Sequence, residues 1–250
     1  MASALIGNTG FVGGNLLRQR AFDATYHSVN IAEIEGKRFA LLFCAGAPGV
    51  KWQANREPER DLESIERLMR SLGSVSADHV VLISTVDVYP DANGVDEDTR
   101  IAEGAGTPYG QHRLLLERFV QGRFPSTVVR LPALFGPGLK KNAVYDFIHR
   151  NRLDAISPDS VFQFYPLPRL SEEIECARAA GLSLVNFATE PVSVRRVAAD
   201  AFGLDFRNQN APLPVHYDMR TKHAEAFGRQ GPYLYDADEV LRHLREFLRE

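Results

Sequence analysis

Three glycines spaced three apart, in Gly7-Asn8-Thr9-Gly10-Phe11-Val12-Gly13, stand between a short apolar run, Ala4-Leu5-Ile6, and a stretch from Gly13 to Arg20 whose Leu16 and Leu17 read as one face of a helix. Strand, glycine turn and helix in that order leave few folds open. Glycine lets the backbone turn tightly and approach an anion with no Cβ in the way, while a helix N-terminus offers unpaired N–H groups and partial positive charge. A phosphate suits such a cradle; the plainer alternative is a turn that only packs a strand on a helix.

The alternation continues along the chain. Phe39-Ala40-Leu41-Leu42-Phe43-Cys44-Ala45 has the unbroken apolarity of a strand covered on both faces, and ends at Gly46 and Pro48. From Pro58 to Leu72 the apolar residues Leu62, Ile65, Leu68, Met69 and Leu72 recur at helical spacing with charges in the gaps, as in a helix lying on a sheet. His79–Ser84 reads as the next strand, Tyr109–Gln121 as a helix and Thr127–Leu131 as a strand. Strands and helices taking turns predict an α/β fold, a Rossmann-like doubly wound parallel sheet.

The stretch between the first helix and Phe39 is short, so one crossover helix of that fold is expected to be reduced or missing. Beyond Gly136-Pro137-Gly138 the pattern loosens, with Pro158, Pro166 and Pro168 among helical stretches at Val144–Arg150 and Ser171–Ala180. Leu182–Asn186 reads as a late strand, and Val240, Leu241, Leu244, Phe247 and Leu248 as the apolar stripe of a closing helix. The expected division is a core over residues 1–136 and, over 137–250, mainly a small C-terminal lobe whose late elements return to the core.

Charge and cysteine usage narrow the partners. Lysine and arginine number 29 against 32 acidic residues, so no basic field would draw in nucleic acid. Cys44 and Cys176 make no disulfide framework, which suits a reducing cytosol. The first seven residues lack the basic flank and apolar stretch of a signal peptide, and no apolar run approaches the ~18 residues of a membrane span. A cytoplasmic protein with no membrane partner is expected. His216, His223 and His243 have no spacing with cysteine or acidic residues that suggests a metal site.

Further segments extend the glycine pattern: Cys44-Ala45-Gly46-Ala47 after a strand, Ser84-Thr85-Val86-Asp87-Val88-Tyr89, Tyr109-Gly110-Gln111-His112-Arg113, the stretch from Arg130 to Gly136-Pro137-Gly138, and Phe187–Val192. In this order, over roughly residues 4–195, they resemble the extended branch of the short-chain dehydrogenase/reductase superfamily, the nucleotide-sugar epimerases and dehydratases. The resemblance implies a dinucleotide-binding core and a substrate lobe. It implies NAD or NADP held by Gly7, Asn8, Thr9, Gly10, Phe11, Val12 and Gly13, with Asn30, Cys44, Ala45, Gly46, Tyr109, Arg113 and Leu131 also at the cofactor. It implies hydride transfer on a small molecule, a nucleotide sugar, by an oxidoreductase, epimerase or dehydratase, and a homodimer.

An acidic residue at the end of the second strand would hold the adenosine ribose hydroxyls, yet Thr25-Tyr26-His27-Ser28-Val29-Asn30 supplies only Ser28 and Asn30. No arginine is adjacent, so NAD versus NADP stays open, with a lean to NADP.

Tyr109 and Arg113 lie four apart on one helix face. Bringing a tyrosine from its usual pKa of ~10 to ~7 takes about 4 kcal/mol. A unit charge at ~4 Å, at an effective dielectric of ~20, supplies about 4 kcal/mol. By resemblance Tyr109 is the general acid/base and Arg113 stands where the family carries lysine, keeping the charge but as a wide planar fork. The plainer alternatives are a helix-start tyrosine and a surface arginine paired with Glu117, while His112 should point elsewhere on the helix.

Also by resemblance, Thr85 orients the reacting oxygen, and Asp87 stands where dehydratases carry a glutamate base. Lys140, Lys141 and Asn142 follow Gly138 where a substrate diphosphate or plain solvent would meet them, and Gln163, Tyr165 and Arg169 lie where the family binds its nucleotide sugar. Two rival readings remain. One is a catalytically silent dinucleotide-binding regulatory protein, favoured by Arg113 and by the chain's shortness; the other is a reductase of a non-sugar carbonyl.

Overall fold

The computed structural model describes residues 2–249. The chain runs β1 (Ser3–Ile6), α1 (Phe11–Gln19), β2 (Ala24–Tyr26), β3 (Arg38–Cys44), α2 (Lys51–Arg56), α3 (Pro58–Gly73), β4 (Ser76–Thr85), β5 (Asn93–Val95), α4 (Pro108–Arg123) and β6 (Ser126–Leu131). It continues through β7 (Ala133–Phe135), α5 (Ala143–His149), β8 (Val161–Phe162), β9 (Phe164–Pro166), α6 (Leu170–Ala179) and β10 (Leu184–Asn186). The remainder is β11 (Val192–Ser193), α7 (Val194–Phe202), β12 (Asp218–Met219) and α8 (Ala237–Phe247). No described helix is long and apolar enough to cross a membrane.

Six strands form one parallel sheet in the order β10-β6-β4-β3-β1-β2. The chain leaves β1 for β2 on one side, then returns to lay β3 on the other side of β1. This reversal makes the carboxyl ends of β1 and β3 the switch point, where open α/β sheets bind ligands. Only a four-residue 3₁₀ turn, Ile31–Ile34, lies between β2 and β3, so the crossover there is reduced.

Two compact units divide the chain. The first comprises the residues up to Asp91, Thr99–Arg130 and Leu170–Val185. Its core gathers Ile6, Leu42, Ile65, Leu72, Val80, Leu116 and Val128 from strands and flanking helices. α3 forms because Pro58 starts it, Glu59 and Asp61 favour its positive end, and Ile65, Leu68 and Leu72 share the buried face. The second unit holds Ala92–Asp98, Leu131–Arg169 and the chain from Asn186 onward. It is built from two-stranded pairings, β7 with β9, β8 with β11 and β5 with β12, and has its own apolar cluster around Phe147, Val194 and Ala198. α8 is fixed at its start by a capping box between Asp236 and Glu239 and buries Val240, Leu241 and Leu244.

Candidate active site

The glycine run closes the switch point. Gly7 has a φ of 91°, and a Cβ there would lie 2.3 Å from the Ala45 carbonyl oxygen. A Cβ on Gly13 would lie 2.1 Å from the Gly7 oxygen, so β1, the end of β3 and the start of α1 come together only with glycine at both positions. α1 has no side-chain cap and no acidic residue in its first turn, leaving its N–H groups directed outward. Asn8 Oδ1 is buried in the same loop without a hydrogen-bond partner. The backbone N–H donors at this open turn and helix start fit the pyrophosphate of a dinucleotide.

A cavity of about 350 Å³ opens beside this loop. Of the residues expected at the cofactor, Gly7, Thr9, Gly10, Ala45 and Gly46 line it. Asn8, Phe11, Val12 and Gly13 complete the loop and helix start without lining it. Asn30 also stays outside: its Oδ1 accepts from the His27 N–H at 2.8 Å and its amide donates to the Thr25 carbonyl at 3.3 Å, so it builds the turn after β2. Cys44 is fully buried in β3, and burial pushes its thiol up to about 11. Leu131, buried at the end of β6, is likewise no part of the lining.

Tyr109 is buried at the start of α4, where its N–H donates to Asn55 Oδ1 at 3.0 Å and its phenol lies beside Thr85. Gly110 makes this approach possible, because a Cβ there would lie 1.9 Å from the Asp87 carbonyl oxygen. Thr85 Oγ1 accepts from the Asp87 N–H at 3.2 Å, and the Asp87 carboxylate pairs with Lys51 Nζ at 2.6 Å. Thr85, Asp87 and Tyr109 therefore converge beyond the carboxyl end of β4. Lys51 and Asn55 join them unannounced by the sequence, since the six residues of α2 are too few to declare a periodicity. Gly110 did carry a signal: glycine in the first turns of a helix costs about 1 kcal/mol against alanine and marks close approach.

Arg113 is only 3 % exposed, not a surface residue, and its guanidinium lies over the Tyr109 ring, 3.9 Å from the centroid. It is committed to Asp61, donating to Oδ1 at 2.9 Å and also to Oδ2, and it donates to the carbonyls of Pro48 and Tyr109. His112 reaches the same Asp61 carboxylate at 2.7 Å. Burial works against the Asp61 charge, but Arg113 and His112 outweigh it and hold the carboxyl below its ordinary value. Glu117 pairs elsewhere, with Arg130 at 2.6 Å and with the Ser84 hydroxyl, while Arg130 donates to the Tyr89 hydroxyl at 2.7 Å. The Ser-Thr-x-x-Val-Tyr segment is thus anchored from beneath by a buried ionic network.

Burial raises the Tyr109 phenol above its ordinary value, over the opposing charge of Arg113, and Asp87 adds to the rise. Contact with Thr85 and the charge of Lys51 bring it only part of the way back. One cation near the ring is insufficient here because that cation is neutralised at contact distance by Asp61 and the phenol has lost its water.

In the second unit, Asn142 caps α5, accepting from the Tyr145 N–H at 3.1 Å and donating to the Leu134 carbonyl at 2.8 Å. Lys140 and Lys141 are exposed just before it. Gln163 is 1 % exposed and spans the Thr189 and Met219 backbone, and Tyr165 packs on Phe187 and Tyr235. Both are interior supports of that unit, and Arg169 is exposed.

A family model described as NAD dependent epimerase/dehydratase family matches residues 31–155, half of the chain. The chain belongs to the NAD dependent epimerase/dehydratase family. No curated protein matches it in sequence. Among solved structures, this family member is similar to MoeE5 in complex with UDP-glucuronic acid and NAD, at 17% identity and a TM-score of 0.74, covering 100% of this chain and 99% of that one. It is similar to a dTDP-4-dehydrorhamnose reductase from Clostridium acetobutylicum at 16% identity and a TM-score of 0.75, covering 100% and 99%. A UDP-N-acetylglucosamine 4-epimerase from Methanobrevibacter ruminantium, in complex with UDP-N-acetylmuramic acid, aligns at 14% identity and a TM-score of 0.74, covering 99% and 97%. At these identities the likeness is one of fold.

Proposed function

We propose that this family member is an NAD(P)-dependent enzyme that works by hydride transfer at a carbinol of a nucleotide sugar, with Tyr109 as its general acid/base. The observation that carries this is the packing of the start of α4 onto the Asp87 backbone, which sets the Tyr109 phenol beside Thr85 and the Asp87–Lys51 pair beyond β4, in the same unit as the glycine loop. The family, and relatives solved with UDP sugars and NAD, support the substrate class and cofactor. When bound, the nicotinamide would supply the hydride acceptor or donor.

The loop Gly7–Gly13 binds the pyrophosphate through backbone N–H groups. Thr85 orients the reacting oxygen, and Tyr109 Oη exchanges a proton with it. Because burial keeps the phenol protonated at neutral pH in the chain alone, Tyr109 starts as the acid, ready to protonate a carbonyl oxygen as it becomes a carbinol. Asp87, held in place by Lys51, would take a proton from the neighbouring carbon, which extends the chemistry to epimerisation or dehydration. The test is turnover over a panel of UDP and dTDP sugars: Tyr109→Phe abolishes it and leaves dinucleotide binding nearly intact. Unchanged turnover removes Tyr109 from the mechanism.

A second reading, a catalytically silent dinucleotide-binding regulator, is favoured by the commitment of Arg113 to Asp61. A chain inert with every sugar, before and after Arg113→Lys, but still binding dinucleotide tightly, would be that protein.

A further inference from the structure

We infer that the cavity beside the glycine loop selects the 2′-phosphorylated dinucleotide, NADP over NAD, and that Arg67 of α3 reads the extra phosphate with Ser28. This deepens the dinucleotide reading above and rests on it. The cavity runs from Gly7 and Gly10 to His27 and Ser28, which follow β2 where the adenosine ribose is held in such folds. A carboxylate at that end would accept from ribose hydroxyls and repel a 2′-phosphate, yet neither aspartate nor glutamate lines the cavity. What lines it instead is a cation, Arg67, about forty residues further along the chain.

Its neighbours make that placement informative. On the same helix Arg60 pairs with Glu57 at 3.1 Å and Arg70 with Glu66 at 4.0 Å. Arg67 has no ion pair among the described residues. A guanidinium with no carboxylate to neutralise it, on the wall of a cavity that also presents the Ser28 hydroxyl, is a receptor for a dianion. The Ser64 hydroxyl is already spent on the Arg60 carbonyl at 3.0 Å and Thr9 belongs to the glycine loop, so Ser28 is the lining hydroxyl that follows β2.

The experiment is calorimetric titration of the full chain with NADP+ and NAD+, and with 2′,5′-ADP against 5′-ADP as fragments lacking the nicotinamide. NADP+ is expected to bind about tenfold or more tightly than NAD+, a gap of the size one charge-assisted contact produces, and to lose that advantage as salt rises. Arg67 is exposed, so Arg67→Gln should fold normally, and it should remove most of the preference. Ser28→Asp should reverse it. Equal affinities, or NAD+ binding more tightly, overturn the inference and leave the dinucleotide reading standing; failure of both dinucleotides to bind overturns both. A preference that survives Arg67→Gln overturns the role given to Arg67.

Discussion

Asp61→Ala should cost far more than the loss of one first-turn acid from α3 would suggest. Asp61 accepts from both outer nitrogens of Arg113 and from His112, and the Arg113 side chain is only 3% exposed. Removing the carboxylate leaves a guanidinium buried against the Tyr109 ring with only two backbone carbonyls to satisfy it. Breaking a buried pair from one side costs about 3–5 kcal/mol, which for a chain of this size is a fall of roughly 6–20 °C in Tm. Urea unfolding followed by circular dichroism measures it, in a cycle with Arg113→Met. The double variant should be more stable than Asp61→Ala alone, because it removes the stranded charge as well. A loss under about 1 kcal/mol, or strictly additive losses, would refute the reasoning. pH gives an independent check. The Asp61 carboxyl sits below its ordinary value of 3.8 in the fold, so its contribution is complete above that pH and fades as pH falls through the lowered folded value. The stability gap between wild type and Asp61→Asn should therefore close only in acid, below about pH 4.

Other outcomes follow from contacts elsewhere in the first unit. Gly13→Ala sets a methyl against the Gly7 backbone and should cost about 1–3 kcal/mol of stability together with dinucleotide affinity, whereas Gly10→Ala, whose nearest neighbour would be 3.3 Å away, should keep the fold. Thermal melts with and without NADP+ separate the two. Lys51→Met removes the partner of Asp87 and a cation near Tyr109, and should lower turnover roughly tenfold, with Lys51→Arg recovering much of it; equal turnover in Lys51→Met would exclude the pair from the chemistry. Cys44, fully buried with its thiol pushed up to about 11, should ignore a disulfide reagent at pH 8 in the native chain while half-buried Cys176 reacts, and both should react in denaturant. Rapid reaction of two thiols in the native chain would contradict that burial.

Much of this architecture was written locally. The apolar run at Phe39–Cys44, the spacing of Ile65, Leu68 and Leu72, and the glycines at 7 and 13 each act over a few neighbouring residues, so periodicity and turn chemistry alone announced a doubly wound sheet with a tight glycine turn at its start. Tyr109, Thr85 and Asp87 were legible as candidates because their motifs are short and keep their order. The partners of the charges were not legible. Arg113 lies over the Tyr109 ring but is bound to Asp61 rather than to Glu117 one turn on; Glu117 turned to Arg130; Lys51 reached Asp87 from a helix too short to predict. The missing residue after β2 had no answer nearby in sequence either, and Arg67 came to that cavity only through the packing of α3 beside the sheet. Helix and strand patterns are decided by neighbours three, four or two residues away, whereas the field at a titrating or ligand-binding group sums over whatever charges lie within about 10 Å in space. Those charges are chosen by packing, and packing exists only once the chain has folded.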